Sequence, residues 1–149
     1  MKLPTNKPIA QVSRYCKQKD RYNCGPVAVL NYWKYCDFNV TYSDIKIISK
    51  LLKSTRKTGT LVSYMERLLN NRFHKCSWWA LKKHLDRGPA IILEDNHYWF
   101  AHSLLDNEEG KTVGVLAVNR GLFTYDCVYI DSMKKILKSG EVLLCQEGP

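Results

Sequence analysis

Apolar residues recur at helical spacing through the first half of the chain, and in the second half they fall into short runs broken by turn-forming residues. Residues 24–36 carry Val27, Leu30 and several Tyr and Trp side chains in a helix-compatible pattern, with Pro26 in the first turn, where a missing N–H costs nothing. Ser43 is the predicted N-cap of a helix over 44–53, and "TLVSYMERLLNNRF" predicts another that ends near Asn70 or Asn71. A fourth helix, "SWWALKKHLDRG", starts after Ser77 and stops at Gly88, read as a C′ residue. Beyond Gly88 the segments "PAIILED", "HYWFAHSLL", "TVGVLAVN" and "YDCVYI" are β-branched and aromatic and read as strands. "DNEEGK" is the predicted hairpin loop between the second and third, and a helix over 131–138 and a last strand "EVLLC" close the chain. Helices first and strands second predict an α+β fold with segregated elements, and no linker or repeat divides residues 1–149 into more than one domain.

Composition narrows the class. With 149 residues, 45% hydrophobic and 25% charged, the chain is long enough to bury about two thirds of its surface and needs no staples. The start "MKLPTNKPIAQVSRYCK" lacks the apolar core of a signal peptide, and no stretch approaches a membrane span. The expectation is a cytoplasmic protein with no membrane partner. The six cysteines are scattered with no CxxC and no Cys/His cluster, which predicts reduced thiols and neither metal nor cofactor. The net charge of +9 would attract polyanions, and basic residues gather in "KIISKLLKSTRK" and "LKKHLDR". Ile45, Ile48, Leu51 and Leu52 form an apolar stripe in the first of these, so solvated helix faces account for the lysines more simply than a nucleic-acid site does. Nucleic acid stays open as a partner, as does an acidic polypeptide.

The chemistry begins at "QKDRYNCGPVAVL". Cys24 stands at the start of the first predicted helix, where unpaired N–H groups and the macrodipole lower a thiol pKa. A buried small residue is the competing reading, since free cysteines usually pack as apolar side chains. An activated thiol needs a base, and four histidines compete for that role. His84 falls in a basic helix and His74 in a loop, both surface positions by default. His97 opens the strand "HYWFAH" after the turn-like "EDN", and His102, five residues on, faces the other way by alternation. If the hairpin loop centres on Glu108, His97 lies directly across from Asn119, whose side chain would accept from the imidazole and fix its tautomer. A turn-shaping role for Asn119, and Asp106 or Asn107 as the orienting group, are the alternatives. The Cys24 N–H and the side-chain amide of Gln18 would serve a developing oxyanion, although Gln18 alone would pass as a loop glutamine and Asp20 as an exposed loop charge.

With these residues set out, the chain resembles papain-like cysteine peptidases, specifically those that process double-glycine leader peptides. Gln18, Cys24 and Gly25 match the family's first motif, and "RGPAIILEDNHYWF" matches its second through Gly88, Pro89 and His97. The resemblance spans roughly residues 11–120 and implies an α+β papain-like fold, a helical half packed on an antiparallel sheet, with Asn119 at the third catalytic position. It departs from the family at Asn119 and Arg120, where an Asp-Pro pair is usual, and at Asn23, where an acidic residue is usual. The function it implies is thiol-dependent hydrolysis of a peptide or isopeptide bond in a polypeptide, through an acyl-enzyme on Cys24 with His97 as base. An acyltransferase with the same acyl-enzyme and a non-catalytic basic binding module are the alternatives; Trp99, on His97's strand face, is read as a cleft wall or as core.

Overall fold

Five antiparallel strands form one sheet in the order Tyr125–Tyr129, Thr112–Val118, His97–Asp106, Ala90–Glu94, Glu141–Leu144, in a computed structural model that describes residues 12–121 and 124–145. Most of the N-terminal stretch read for a signal sequence lies outside the described residues. The elements are α1 (Cys24–Tyr35), a 3₁₀ turn (Tyr42–Asp44), α2 (Ile45–Leu51), α3 (Val62–Leu69), α4 (Trp78–Leu85), β1 (Ala90–Glu94), β2 (His97–Asp106), β3 (Thr112–Val118), β4 (Tyr125–Tyr129), α5 (Ile130–Ser139) and β5 (Glu141–Leu144). The α+β class holds, but the helical half divides across the sheet.

Alternation along the strands supplies two apolar faces. Ile91, Tyr98, Phe100, Leu116 and Val118 pack with Val29 and Leu30 of α1, and with Ile48, Leu52 and Met65. Ile92, Trp99, Ala101, Val115 and Ala117 face the other way, under Trp78, Leu81 and Leu85 of α4 and Met133, Ile136 and Leu137 of α5. Trp99 is therefore core, fully buried, and no cleft wall. The two tryptophans of α4 part company, Trp78 buried and Trp79 73% exposed beneath the ammonium of Lys82.

Two helix-boundary expectations and one apolar-stripe expectation change. The turn before α2 is closed by Thr41, whose N–H donates to the Asp44 carboxylate at 2.9 Å, while Ser43 only bonds the Thr41 hydroxyl. Leu51 of the expected stripe is exposed, and Ile45, Ile48 and Leu52 make the buried edge. Gly88 lies one residue beyond C′, its N–H donating to the His84 carbonyl at 3.0 Å, because α4 already ends at Leu85. Asn70 ends α3 in a left-handed conformation, and the Ser77 hydroxyl caps α4 by accepting from the Ala80 N–H.

Two hairpins place the site. Asp95 and Asn96 both take positive φ, the two-residue turn that Asp and Asn tolerate best, which makes His97 the first residue of β2 opposite Glu94. The β2–β3 loop closes on Gly110 at φ +80°, with the Asn107 N–H on the Lys111 carbonyl, so its centre falls at residue 109 and not at 108. A bulge at His102 shifts the pairing again, from Ala101↔Ala117 to Ser103↔Leu116.

Candidate active site

Cys24 is the first residue of α1, and no side chain caps that helix, so the N–H groups of its first turn are not taken up by Asn23. Asn23 is turned instead toward Asp20, whose carboxylate accepts from the Tyr22 and Asn23 N–H groups and from the Asn23 side chain. Asp20 is thus the organiser of the loop that delivers Cys24. The D-x-x-N spacing of an Asx turn was the signal in the sequence.

The thiol faces the start of β2. Burial pushes the Cys24 thiol up, but hydrogen bonds from His97 and from the N–H groups of Tyr98 and Gly25 outweigh it, and its pKa is lowered. The Tyr98 N–H is available for a structural reason. Since Glu94 and His97 pair across a two-residue turn, Tyr98 directs its backbone groups toward β3, and β3 ends at Val118, opposite Phe100. The Cys24 sulfur takes the Tyr98 N–H that a longer β3 would accept. Cys16, Cys36, Cys76, Cys127 and Cys145 all go the other way, raised chiefly by burial. All six cysteines are unpaired.

His97 donates from Nε2 to the backbone carbonyl of Asn119 at 2.6 Å. A carbonyl can only accept, so the proton is on Nε2 and Nδ1 is left free for the thiol. Burial lowers the His97 pKa, but the bonds to Cys24 and to the Asn119 carbonyl, with the charge of Glu94 nearby, outweigh it and the pKa is raised. The pair is biased toward thiolate and imidazolium.

Asn119 meets His97, but not in the expected way. Continuing the Phe100↔Val118 pairing sets residue 97 opposite residue 121, since 100 + 118 = 97 + 121, so Asn119 is two positions from the expected register. It reaches the imidazole with its main chain because φ +65° turns the strand aside at that point. Its side chain is spent elsewhere: Oδ1 accepts from the Gln18 N–H at 2.8 Å and Nδ2 donates to the Cys16 carbonyl at 2.9 Å. Asn119 therefore clamps the segment that leads to Cys24. Asn31 of α1, also buried, holds the same segment from the other side through the N–H and carbonyl of Cys16.

Gln18 is 1% exposed, its Nε2 donating to the Asp20 carbonyl. One amide hydrogen is left over, and Oε1 is buried with no partner among the described residues. His102 lies among Tyr15, Tyr35 and Phe100 on the α1 face, and burial with the charge of Arg14 lowers its pKa to about 4. His84 bonds the Pro89 carbonyl and His74 is exposed, so of the four histidines His97 alone is bonded to Cys24.

Other residues around the site gave little warning in the sequence. Arg120 grips the Glu94 carboxylate at 3.1 and 3.2 Å and ties the strand end after Asn119 to β1. Thr60 presses on Gly25 so closely that a Cβ there would stand 2.3 Å from the Thr60 hydroxyl. The Thr60 carbonyl accepts from the Tyr98 hydroxyl and its own hydroxyl bonds Ser54, which pins the 54–60 loop beside the thiol.

Two hollows flank the pair. A cleft of about 510 Å³ runs from Cys24 past Arg21, Arg56 and Lys57, and a pocket of about 470 Å³ holds His97 with Glu94, Asp95, Arg120 and Asp126. Among the described residues no three His, Cys, Asp or Glu side chains converge as metal ligands, and no helix is long and apolar enough to cross a membrane.

Helices on both faces of a five-stranded antiparallel sheet, with a cysteine opening the central helix and a histidine opening the adjoining strand, define the α+β papain-like peptidase fold. The chain superposes on the crystal structure of a double glycine motif protease from an AMS/PCAT transporter in complex with the leader peptide, with a TM-score of 0.65 over 85% of this chain and 86% of that one, at 12% identity. That likeness establishes the fold. No family model and no curated protein matches the sequence.

Proposed function

We propose that the chain is a single-domain cysteine hydrolase that cleaves a peptide or isopeptide bond in a polypeptide. The observation that carries this reading is the Cys24–His97 pair: the one thiol of six with a lowered pKa is bonded to a histidine whose pKa is raised and whose tautomer is set by the Asn119 carbonyl. The fold neighbour holds a leader peptide, which supports a polypeptide substrate.

Cys24 sulfur attacks the scissile carbonyl, and His97 carries the thiol proton to the departing amine. The oxyanion that forms lies by the helix start, where the Cys24 N–H and the remaining hydrogen of Gln18 Nε2 are the proposed donors. Water, deprotonated by His97, then opens the thioester and releases the acid. Asn119 contributes as a positioning residue, through its carbonyl to His97 and through its side chain to the Gln18 segment.

The test is the pH dependence of Cys24 alkylation by iodoacetamide, mapped by peptide mass, in wild type and His97→Ala. Cys24 is expected to react at lower pH than the other five cysteines, with that advantage lost in His97→Ala. A Cys24 that titrates with the others overturns the reading.

A further inference from the structure

The two hollows beside the catalytic pair differ in charge, and the reaction order tells them apart. The acyl part of a substrate stays on Cys24, whereas the leaving amine takes its proton from His97. The cleft that contains Cys24 and not His97 is therefore the acyl side. Arg21, Arg56 and Lys57 line it, and among the described residues it has no carboxylate. The pocket that contains His97 and not Cys24 has Glu94, Asp95 and Asp126 beside the His97 imidazole and Arg120, which Glu94 already holds.

The basic groups stand on built structure. Arg56 lies over the Tyr22 ring at 5.1 Å, and Arg56 and Lys57 sit in a turn closed by the Thr55↔Gly59 bridge. That turn is fastened to the site through Thr60, by its contact with Gly25 and its bond from Tyr98. Arg56 and Lys57 are thus carried on a fastened turn beside the nucleophile, and Arg21 adds a third cation to the lining of the same cleft.

The geometry points to a polarised substrate: a polypeptide with acidic side chains on the acyl, N-terminal side of the scissile bond, bound in the Arg21, Arg56 and Lys57 cleft. This rests on the peptidase reading above and adds the direction in which the substrate lies. Acidic residues placed beyond the bond would meet the Glu94, Asp95 and Asp126 pocket and be repelled.

Chloromethyl ketones occupy only the acyl side, with sulfur displacing chloride, and so isolate that cleft. Cys24 labelling rates would be compared by intact mass for acetyl-Glu-Glu-Gly, acetyl-Gln-Gln-Gly and acetyl-Lys-Lys-Gly chloromethyl ketones. The acidic probe is expected to label about tenfold faster than the lysine probe at low salt, with the gap narrowing as salt rises. In Arg56→Ala/Lys57→Ala the gap should close, whereas Lys134→Ala/Lys138→Ala, which removes the same charge from exposed positions of α5, should leave it. Equal wild-type rates, or a gap that survives in the first variant or vanishes in the second, overturn the acyl-side assignment and leave the peptidase reading standing. A Cys24 that iodoacetamide does not label preferentially overturns the peptidase reading, and this inference with it.

Discussion

β2 carries one histidine at its start and another at its mid-strand bulge, and the two behave in opposite ways. His102 is packed among Tyr15, Tyr35 and Phe100 with Nδ1 bonded to the Ser103 hydroxyl, and burial lowers its pKa to about 4. His97 is also substantially buried, yet an acceptor on one nitrogen and a thiol at the other raise its pKa. Burial alone makes a histidine a poor base. A fixed acceptor and a titratable partner make it a useful one.

The largest expected effect separates the two rings by function. With any hydrolysable peptide or activated ester, His97→Ala should lose roughly 10²- to 10⁴-fold in kcat, and His102→Phe should change it by only a few-fold. Similar losses in both variants would mean that His102 shapes the site and that the contrast is false.

Next in size is acid stability. A histidine whose folded pKa is depressed binds its proton more readily in the unfolded chain, so the native state loses stability as pH falls from 6.5 toward 4. The loss attributable to His102 is on the order of 3 kcal/mol across that window. Urea midpoints from pH 7 to pH 4 should fall for wild type and fall less for His102→Phe. Parallel curves would remove His102 as the cause. His97 has the opposite sign, since its raised pKa gives stability below the unfolded value that fades as pH climbs through the folded one.

The smallest effect sharpens the role of Asn119. Asn119→Ala loses two side-chain hydrogen bonds and keeps a left-handed φ that alanine resists, so a cost of about 2 to 3 kcal/mol is expected. Asn119→Gly should recover about 1 kcal/mol of that, because glycine adopts the conformation freely. Both variants retain the carbonyl that holds His97, so the Cys24 alkylation midpoint should hold in Asn119→Gly. A midpoint shift there as large as that of His97→Ala would place the side chain, not the main chain, on the imidazole.

Most of the fold was legible in the sequence because it rests on short-range rules. Alternation marked the strands, and Ser77 and Asn70 marked helix ends. Glu108 was the wrong loop centre because Gly110 and Asn107 moved it one residue, and one residue of centre is two of register. The division of helices between the faces was hidden, since α4 is amphipathic whichever side it covers. Cys24 and His97 were legible as chemistry looking for a partner. Thr60 and Arg120 were not, because each acts through a contact that exists only after the loops have met, whereas the role of Asp20 is local, in its bonds to Tyr22 and Asn23.

The turn at Asp95 and Asn96 works as a gauge of length. Side chains change face with every residue along a strand, so one residue added there would carry Tyr98 to the α4 and α5 side and Trp99 under α1, reversing two cores at once. Among descendants of this chain, the letters of that turn are free to drift toward Gly or Asn, but an inserted or deleted residue has to be absorbed within the turn or by a new bulge, as at His102, or the two cores exchange.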